Sequence, residues 1–206
     1  MPSLPPTVFV VDDDPAVLKS LSRLLRSARL NAATFGSPQE FFERHDPRAP
    51  GCLALDVAMP GLNGLELQEA LAAKGSAIPI IFLTGHGDIP MSVQAMKRGA
   101  LDFLTKPVND DDLLKAVDAA IQKDRIYRQT RAEVAEIEQR LATLTPRERE
   151  VMEHVISGQL NKQTAAALGT VEKTIKVHRA RVMEKMKVQS VAELVRLAEK
   201  AGIRPA

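Results

Sequence analysis

Five polar residues stand where apolar runs of the chain stop. Asp12 and Asp13 follow TVFVV, Asp56 follows CLAL, Thr84 follows PIIFL, and Lys106, with Pro107 behind it, follows LDFLT. If each run is a strand of one parallel sheet, these residues meet outside the carboxyl ends of the strands, where open α/β sheets bind ligands. Taken singly, each Asp reads equally as a helix cap or a loop residue. Together they specify chemistry. Three carboxylates at one edge repel one another unless a hard cation sits among them, and Mg²⁺ prefers oxygen ligands while keeping several waters. Mg²⁺ would also offset the charge of a phosphoryl group arriving at Asp56, with Lys106 adding positive charge and Thr84 a hydrogen bond. Asp56 would then be the nucleophile and carry an acyl phosphate.

A second set lies towards the C-terminus. Residues 172–186 hold Lys173, Lys176, Arg179, Arg181 and Lys185, with Ile175, Val182 and Met186 spaced to pack inward. Such a helix can turn a basic face to DNA, although the same charges also serve a merely solvated face.

The elements that must position these residues follow from periodicity. Strands are expected at 7–11, 31–35, 52–55, 78–83 and 101–105, each followed by a helix, at 15–28, 38–44, 64–74, 90–98 and 110–123. This alternation predicts an α/β domain with a parallel sheet. Val17, Leu18, Leu21, Leu24 and Leu25 recur at helical spacing and are expected to face the sheet. From 121 to 144 the chain is charged and free of Gly and Pro, which reads as a helical linker between two free domains or, as the alternative, as part of one long helix over 110–144 that separates them. Its Val134, Ile137, Leu141 and Leu144 suit either a short coiled-coil seam between two copies or packing within their own domain. Four short helices, at 146–157, 162–168, 172–186 and 191–201, complete an all-α unit with Gly158 and Gly169 at its breaks, an organisation like a helix-turn-helix.

Composition fits two domains. The 206 residues are 45% hydrophobic and 26% charged, and the net charge of +2 conceals a division. Residues 1–120 carry 11 Lys/Arg against 15 Asp/Glu, whereas 121–206 carry 17 against 11. A basic C-terminal half suits a polyanionic partner or simple solvation. No apolar run reaches membrane-spanning length and MPSLPPTVFVVDDD has no secretory pattern, so the cytoplasm is the expected compartment. The single cysteine, Cys52, lies in an apolar run and reads as a buried thiol.

The segments VFVVDDDPAV, LALDVAMPGLNGLEL and PIIFLTGHGDIPMSVQAMKRGALDFLTKP resemble the receiver domains of two-component response regulators, and TGHGDIPMSVQAMKRGA is similar to the FixJ type. The resemblance implies a flavodoxin-like (βα)5 receiver domain over 1–123. It makes Asp12 and Asp13 the acidic pair, Asp56 the phosphoacceptor, Thr84 the switch hydroxyl, Lys106 the phosphoryl-binding lysine and Phe103 the switch aromatic. It further implies that Asp13, Asp56 and the backbone carbonyl of Ala58 hold Mg²⁺, with Asp12 acting through water. Ala58 departs from the longer side chain many receivers carry there, which leaves the lifetime of the phosphorylated state open. Phe103 reads equally as a core aromatic.

LTPREREVMEHVISGQLNKQTAAALGTVEKTIKVHRARVMEKMKV, continuing through SVAELVRLA, resembles the LuxR-type helix-turn-helix domain. This implies a helical linker at 124–142 and a DNA-binding domain of four helices at 143–206. By the same resemblance Lys176 and Val177 lie at base edges, with Lys162, Thr174, His178, Arg179 and Arg181 near phosphates or flanking bases. His178 alternatively faces the core. Where the family has a Ser or similar cap before its recognition helix, this chain has Thr170 and Val171, so either Thr170 caps or the helix start shifts.

The implied function is a phosphorylation-controlled transcription regulator and not an enzyme. Its expected partners are a sensor histidine kinase, promoter DNA, a second copy upon phosphorylation, and RNA polymerase. A small-molecule sensor would need more aromatic lining than Trp 0 and Tyr 1 supply. A flavodoxin-like redox protein would need a phosphate-cradling loop where Asp12–Asp14 stand, and an aspartate-dependent phosphatase a second acid at Ala58.

Overall fold

The computed structural model describes residues 5–85 and 89–203, with the side chains of 89–92 outside that description. Residues 86–88, part of the TGHGDIPMSVQ motif, therefore lie outside it. The chain divides into two compact units, Met1–Arg128 and Gln129–Ala206.

In the first unit, β1 (Thr7–Val11), β2 (Asn31–Phe35), β3 (Gly51–Asp56), β4 (Ile80–Thr84) and β5 (Asp102–Thr105) form a parallel sheet in the order β2-β1-β3-β4-β5. They alternate with α1 (Pro15–Ser27), α2 (Pro38–Arg44), α3 (Gly64–Ala73) and α4 (Ile89–Lys97). Every residue of β3 is buried, as a central strand covered on both faces requires. Successive side chains divide between two cores. Phe9, Val11, Leu53, Leu55 and Phe82 join Phe41 and Leu67 on one face. Val8, Val10, Ala54, Ile81 and Leu83 join Leu21, Leu25, Leu113 and Val117 on the other. Val17, Leu18 and Leu24 pack at the rim of this second core, so Val17, Leu18, Leu21, Leu24 and Leu25 all serve it.

The parallel sheet expected from the alternation, and the flavodoxin-like architecture that the resemblance implies, are present. Strand β4 begins at Ile80 rather than 78, because Pro79 has no N–H to donate to a ladder. Its carbonyl still accepts from Leu53 N at 2.9 Å.

A larger difference follows β5. One helix, α5 (Asp110–Ala142), takes the place of the expected helix and separate helical linker, as in the alternative of a long helix over 110–144. No Gly or Pro interrupts it. The second unit continues with α6 (Pro146–Ile156), α7 (Asn161–Ala167), α8 (Glu172–Met186) and α9 (Val191–Lys200), the four helices expected. Ile137, Leu141 and Leu144 are buried with Val151, Met152, Val155, Ile175, Val182, Met186 and Leu194. Three of the four residues of that apolar seam therefore pack within their own unit, while Val134 is half-buried. Gly169, at φ 61°, ends α7 in the left-handed conformation that a side chain would resist.

Candidate functional site

The parallel register brings the ends of β1, β3, β4 and β5 to one edge. Asp12 and Asp56 are buried there, Thr84 is buried, and Asp13 is exposed. Lys106 Nζ donates to Asp12 Oδ2 at 2.6 Å and lies 3.2 Å from Asp56 Oδ1. Asp12 Oδ1 accepts from Asp14 N at 3.0 Å, and Asp56 Oδ1 accepts from Ala58 N at 3.4 Å. Burial pushes the Asp56 carboxyl above the usual carboxylate range, with Lys106 pulling the other way. Burial alone would lower the Lys106 ammonium, but its bonds to Asp12 and Asp56 outweigh that and raise it.

Oxygens of Asp12, Asp13 and Asp56 lie within 4.8 Å of one another. This donor set is carboxylate oxygen alone, without His or Cys, which fits a hard divalent cation rather than zinc. Asp12 already accepts through both oxygens, so Asp13 and Asp56 have the more available lone pairs.

Local backbone sets the position of Asp56. Gly64 N donates to Val57 O at 3.1 Å where α3 begins. A Cβ on Gly64 would stand 2.3 Å from the Asp56 carbonyl oxygen, so only glycine permits this approach. Lys106 N donates to Thr84 O at 2.6 Å, which ties the lysine to the end of β4, and the Lys106–Pro107 peptide is cis. Phe103 is half-buried at the edge of the first core, its ring centroid 6.1 Å from that of Phe82. Cys52 is fully buried with its thiol pushed up to about 12, which keeps it out of any nucleophilic role.

In the second unit, Lys162, Lys176, Val177 and Arg181 are exposed, while Thr174, His178 and Arg179 are half-buried. Lys176 pairs with Glu172 at 3.3 Å, and Arg179 Nη1 donates to Asn161 Oδ1 at 3.0 Å. His178 Nδ1 is buried without a hydrogen-bond partner, so this side chain is turned partly inward. Lys185 leaves the basic face, donating to Glu148 Oε2 at 2.6 Å and Thr143 O at 2.9 Å. Helix α8 starts at Glu172 as expected, with Val171 as its N-cap and no side-chain hydrogen bond there.

Residues 8–118 match the response regulator receiver domain, and residues 142–198 match the bacterial regulatory proteins of the luxR family. The chain belongs to the response regulator family. This response regulator is 50% identical to nodulation protein W of Bradyrhizobium diazoefficiens, over 95% of its own length and 86% of that protein's. It is 44% identical to the transcriptional regulatory protein FixJ of the same organism, over 95% and 96% of the two chains. The solved response regulator StyR superposes with a TM-score of 0.87 at 48% identity, covering 96% of this chain and all of StyR's.

Three features of this response regulator escaped sequence reasoning. The first is the close approach at Gly64, which needs the tertiary placement of α3. The second is Asp124, buried on α5, which accepts from Gly51 N at 2.9 Å and from Arg128 Nε at 2.8 and 2.9 Å. Arg128 also donates to the carbonyls of Arg48 and Ala49 at 2.8 and 2.7 Å. In sequence, an Asp and an Arg four apart look like any surface helix pair. The third is Glu148, whose capping-box spacing after Thr145 was visible although its bond to Lys185 was not.

Proposed function

We propose that a sensor histidine kinase phosphorylates Asp56 and that this modification controls dimerisation and promoter binding by the luxR-family domain, regulating transcription. The observation that carries the reading is the convergence of Asp12, Asp13, Asp56 and Lys106 at one sheet edge, in a chain that also bears the exposed basic helix α8. Residues 1–123 serve as the receiver domain, 124–142 as a helical linker, and 143–206 as the DNA-binding domain. RNA polymerase is a further partner, and the cytoplasm, where kinase and chromosome meet, is the site of action. Among the described residues no helix is long and apolar enough to cross a membrane.

In the transfer, an Asp56 carboxylate oxygen attacks phosphorus, forming an O–P bond as the P–N bond to the kinase histidine breaks. The electron pair of that bond leaves with the imidazole. Lys106 offers its charge to the phosphoryl oxygens, and Thr84 places a hydroxyl at the adjoining strand end. Asp13, Asp56 and the Ala58 carbonyl, with Asp12 through water, would hold Mg²⁺, which supplies charge neutralisation to the incoming phosphoryl group. On α8, Lys176 and Val177 meet base edges. Lys162, Thr174, His178, Arg179 and Arg181 lie towards phosphates or flanking bases, with His178 and Arg179 also packing within their own unit.

Acetyl phosphate with Mg²⁺ should add one phosphoryl group, read as intact mass, and shift the protein towards specific promoter binding. Asp56→Asn and EDTA should each abolish the adduct. An adduct surviving in Asp56→Asn would remove Asp56 as the acceptor.

A further inference from the structure

The helices whose starts lie among the described residues begin in two ways. Asp14, Ser37, Asn63, Thr145 and Ser190 each cap a helix with a side-chain oxygen that accepts a backbone N–H. Asn109 does the same at the start of α5, accepting from the amides of Asp111 and Asp112. Helices α7 and α8 break the pattern, since their N-caps are Leu160 and Val171; at α7 Gln163 Oε1 still accepts from the Leu160 amide at 2.7 Å, whereas α8 has no side-chain cap bond. Both residues stand in water, 69% and 66% exposed. With Val177 at 46%, they are the exposed large apolar side chains of the second unit among the described residues.

Valine at an N-cap is doubly unfavourable. It leaves first-turn amides without a side-chain acceptor, and it exposes branched apolar surface. A local rule broken without a compensating contact inside the fold marks a contact made outside it. The setting indicates which. On α8, which follows Val171, exposed Lys173, Lys176 and Arg181 outnumber exposed Glu172 and Glu184, with Glu172 paired to Lys176 at 3.3 Å, so the helix keeps a net positive exposed charge that suits a polyanion. In the major groove of DNA the apolar feature available to such a residue is the C5-methyl of thymine. The first residues of a recognition helix are the ones that reach base edges.

We propose that Val171 is a specificity residue that packs against a thymine methyl in the DNA site. It exchanges helix capping for base discrimination. The proposal rests on the reading of α8 as the DNA-contacting helix and adds to it a residue that is neither basic nor within the helix.

The test uses the full-length protein treated with acetyl phosphate and Mg²⁺, and a duplex selected by it from a randomised library. Each thymidine is replaced in turn by deoxyuridine, which removes the methyl and nothing else. Wild-type protein should lose about three- to fivefold in affinity at one position per half-site through loss of the Val171 contact, the worth of one buried methyl-sized group. Val171→Ser and Val171→Ala should both lose that penalty while keeping the penalty at any thymine read by Val177. Val171→Ser should also slow hydrogen exchange at the first amides of α8, because it restores a capping oxygen. This variant gains a structural feature, so misfolding does not account for its loss of discrimination.

If both variants keep every deoxyuridine penalty, Val171 reads no methyl and the proposal is overturned. It is overturned equally if no thymine matters to wild-type protein while Lys176→Ala still relaxes base preference, an outcome that leaves α8 as the reading helix. Wild-type protein that fails to distinguish the selected duplex from a scrambled one would overturn the reading of α8 together with the proposal.

Discussion

At the scale of single residues, the phosphoacceptor depends on a neighbour that carries no functional group. Gly64 brings the start of α3 so close to the Asp56 carbonyl that a methyl would overlap it, with backbone rather than a flexible side chain on the other side. Gly64→Ala should therefore cost about 1–3 kcal/mol of receiver stability, the usual range for overpacking, measured by urea unfolding. It should also slow acetyl phosphate labelling, since relief of the overlap moves Asp56. Unaltered labelling and unfolding would show that the end of β3 yields without consequence. In the second unit, the hydrogen bond from Lys185, with the Thr145 amide second, holds the Glu148 carboxyl at about 2, against an ordinary 4.5. Its folded value is lowered, so its contribution is present above the unfolded value and is lost as pH falls from about 4.5 towards 2. Glu148→Gln should lower the stability of this unit at neutral pH and flatten the acid side of its stability profile. A variant profile parallel to wild type through that window would assign the acid sensitivity to other carboxylates.

At the scale of elements, α5 decides between two readings of the sequence, a helix with a separate linker and one long helix. Its amphipathic pattern was legible, but a change in character near 121 suggested a separate linker, whereas the helix continues unbroken to Ala142. Asp124 and Arg128 explain why residues just past that point still belong with the sheet. Asp124 receives the amide of Gly51, the first residue of the strand that ends at Asp56, and Arg128 grips the carbonyls before it. Arg128→Ala would leave a buried carboxylate without its cation. The cost should be about 3 kcal/mol, the low end for a broken buried pair because the Arg128 side chain is 33% exposed. Asp124→Asn combined with Arg128→Ala should recover part of it. Hydrogen exchange should rise at the α5 amides around 124–128 in the single variant, and unchanged exchange there would reduce the pair to a surface contact.

At the scale of the whole molecule, two cores imply two folding units whose limits can be cut. Ile137 and Leu141 are 3% and 6% exposed in the second core, although both precede the residue at which the DNA-binding domain is expected to begin. A fragment of residues 129–206 should melt cooperatively by circular dichroism, and one of residues 143–206 should melt lower or not cooperatively, having lost two large buried side chains. In the first unit, a fragment ending at 128 should label with acetyl phosphate and be more stable than one ending at 123, which lacks both Asp124 and Arg128. Equal stability within each pair of fragments would mean that the ends of these cores contribute nothing.

The sequence alone determined the order of strands and helices, the strand-end set Asp12, Asp13, Asp56, Thr84 and Lys106, and the position of α8. These features are written in local periodicity and in residue types placed at the ends of apolar runs, and such signals survive without knowledge of what lies across the fold. Tertiary structure decided which side chains are consumed by partners distant in sequence. Lys185 looked like one more cation of a DNA-facing helix and is bound to Glu148, 37 residues earlier. Asp124 looked like a surface carboxylate and is buried against Gly51, 73 residues earlier. Ile137 and Leu141 suited either a seam between copies or packing within their own domain, and they fill the core of their own unit. In each case a charge or an apolar group is compatible with several environments, and only the three-dimensional neighbour determines which environment it occupies.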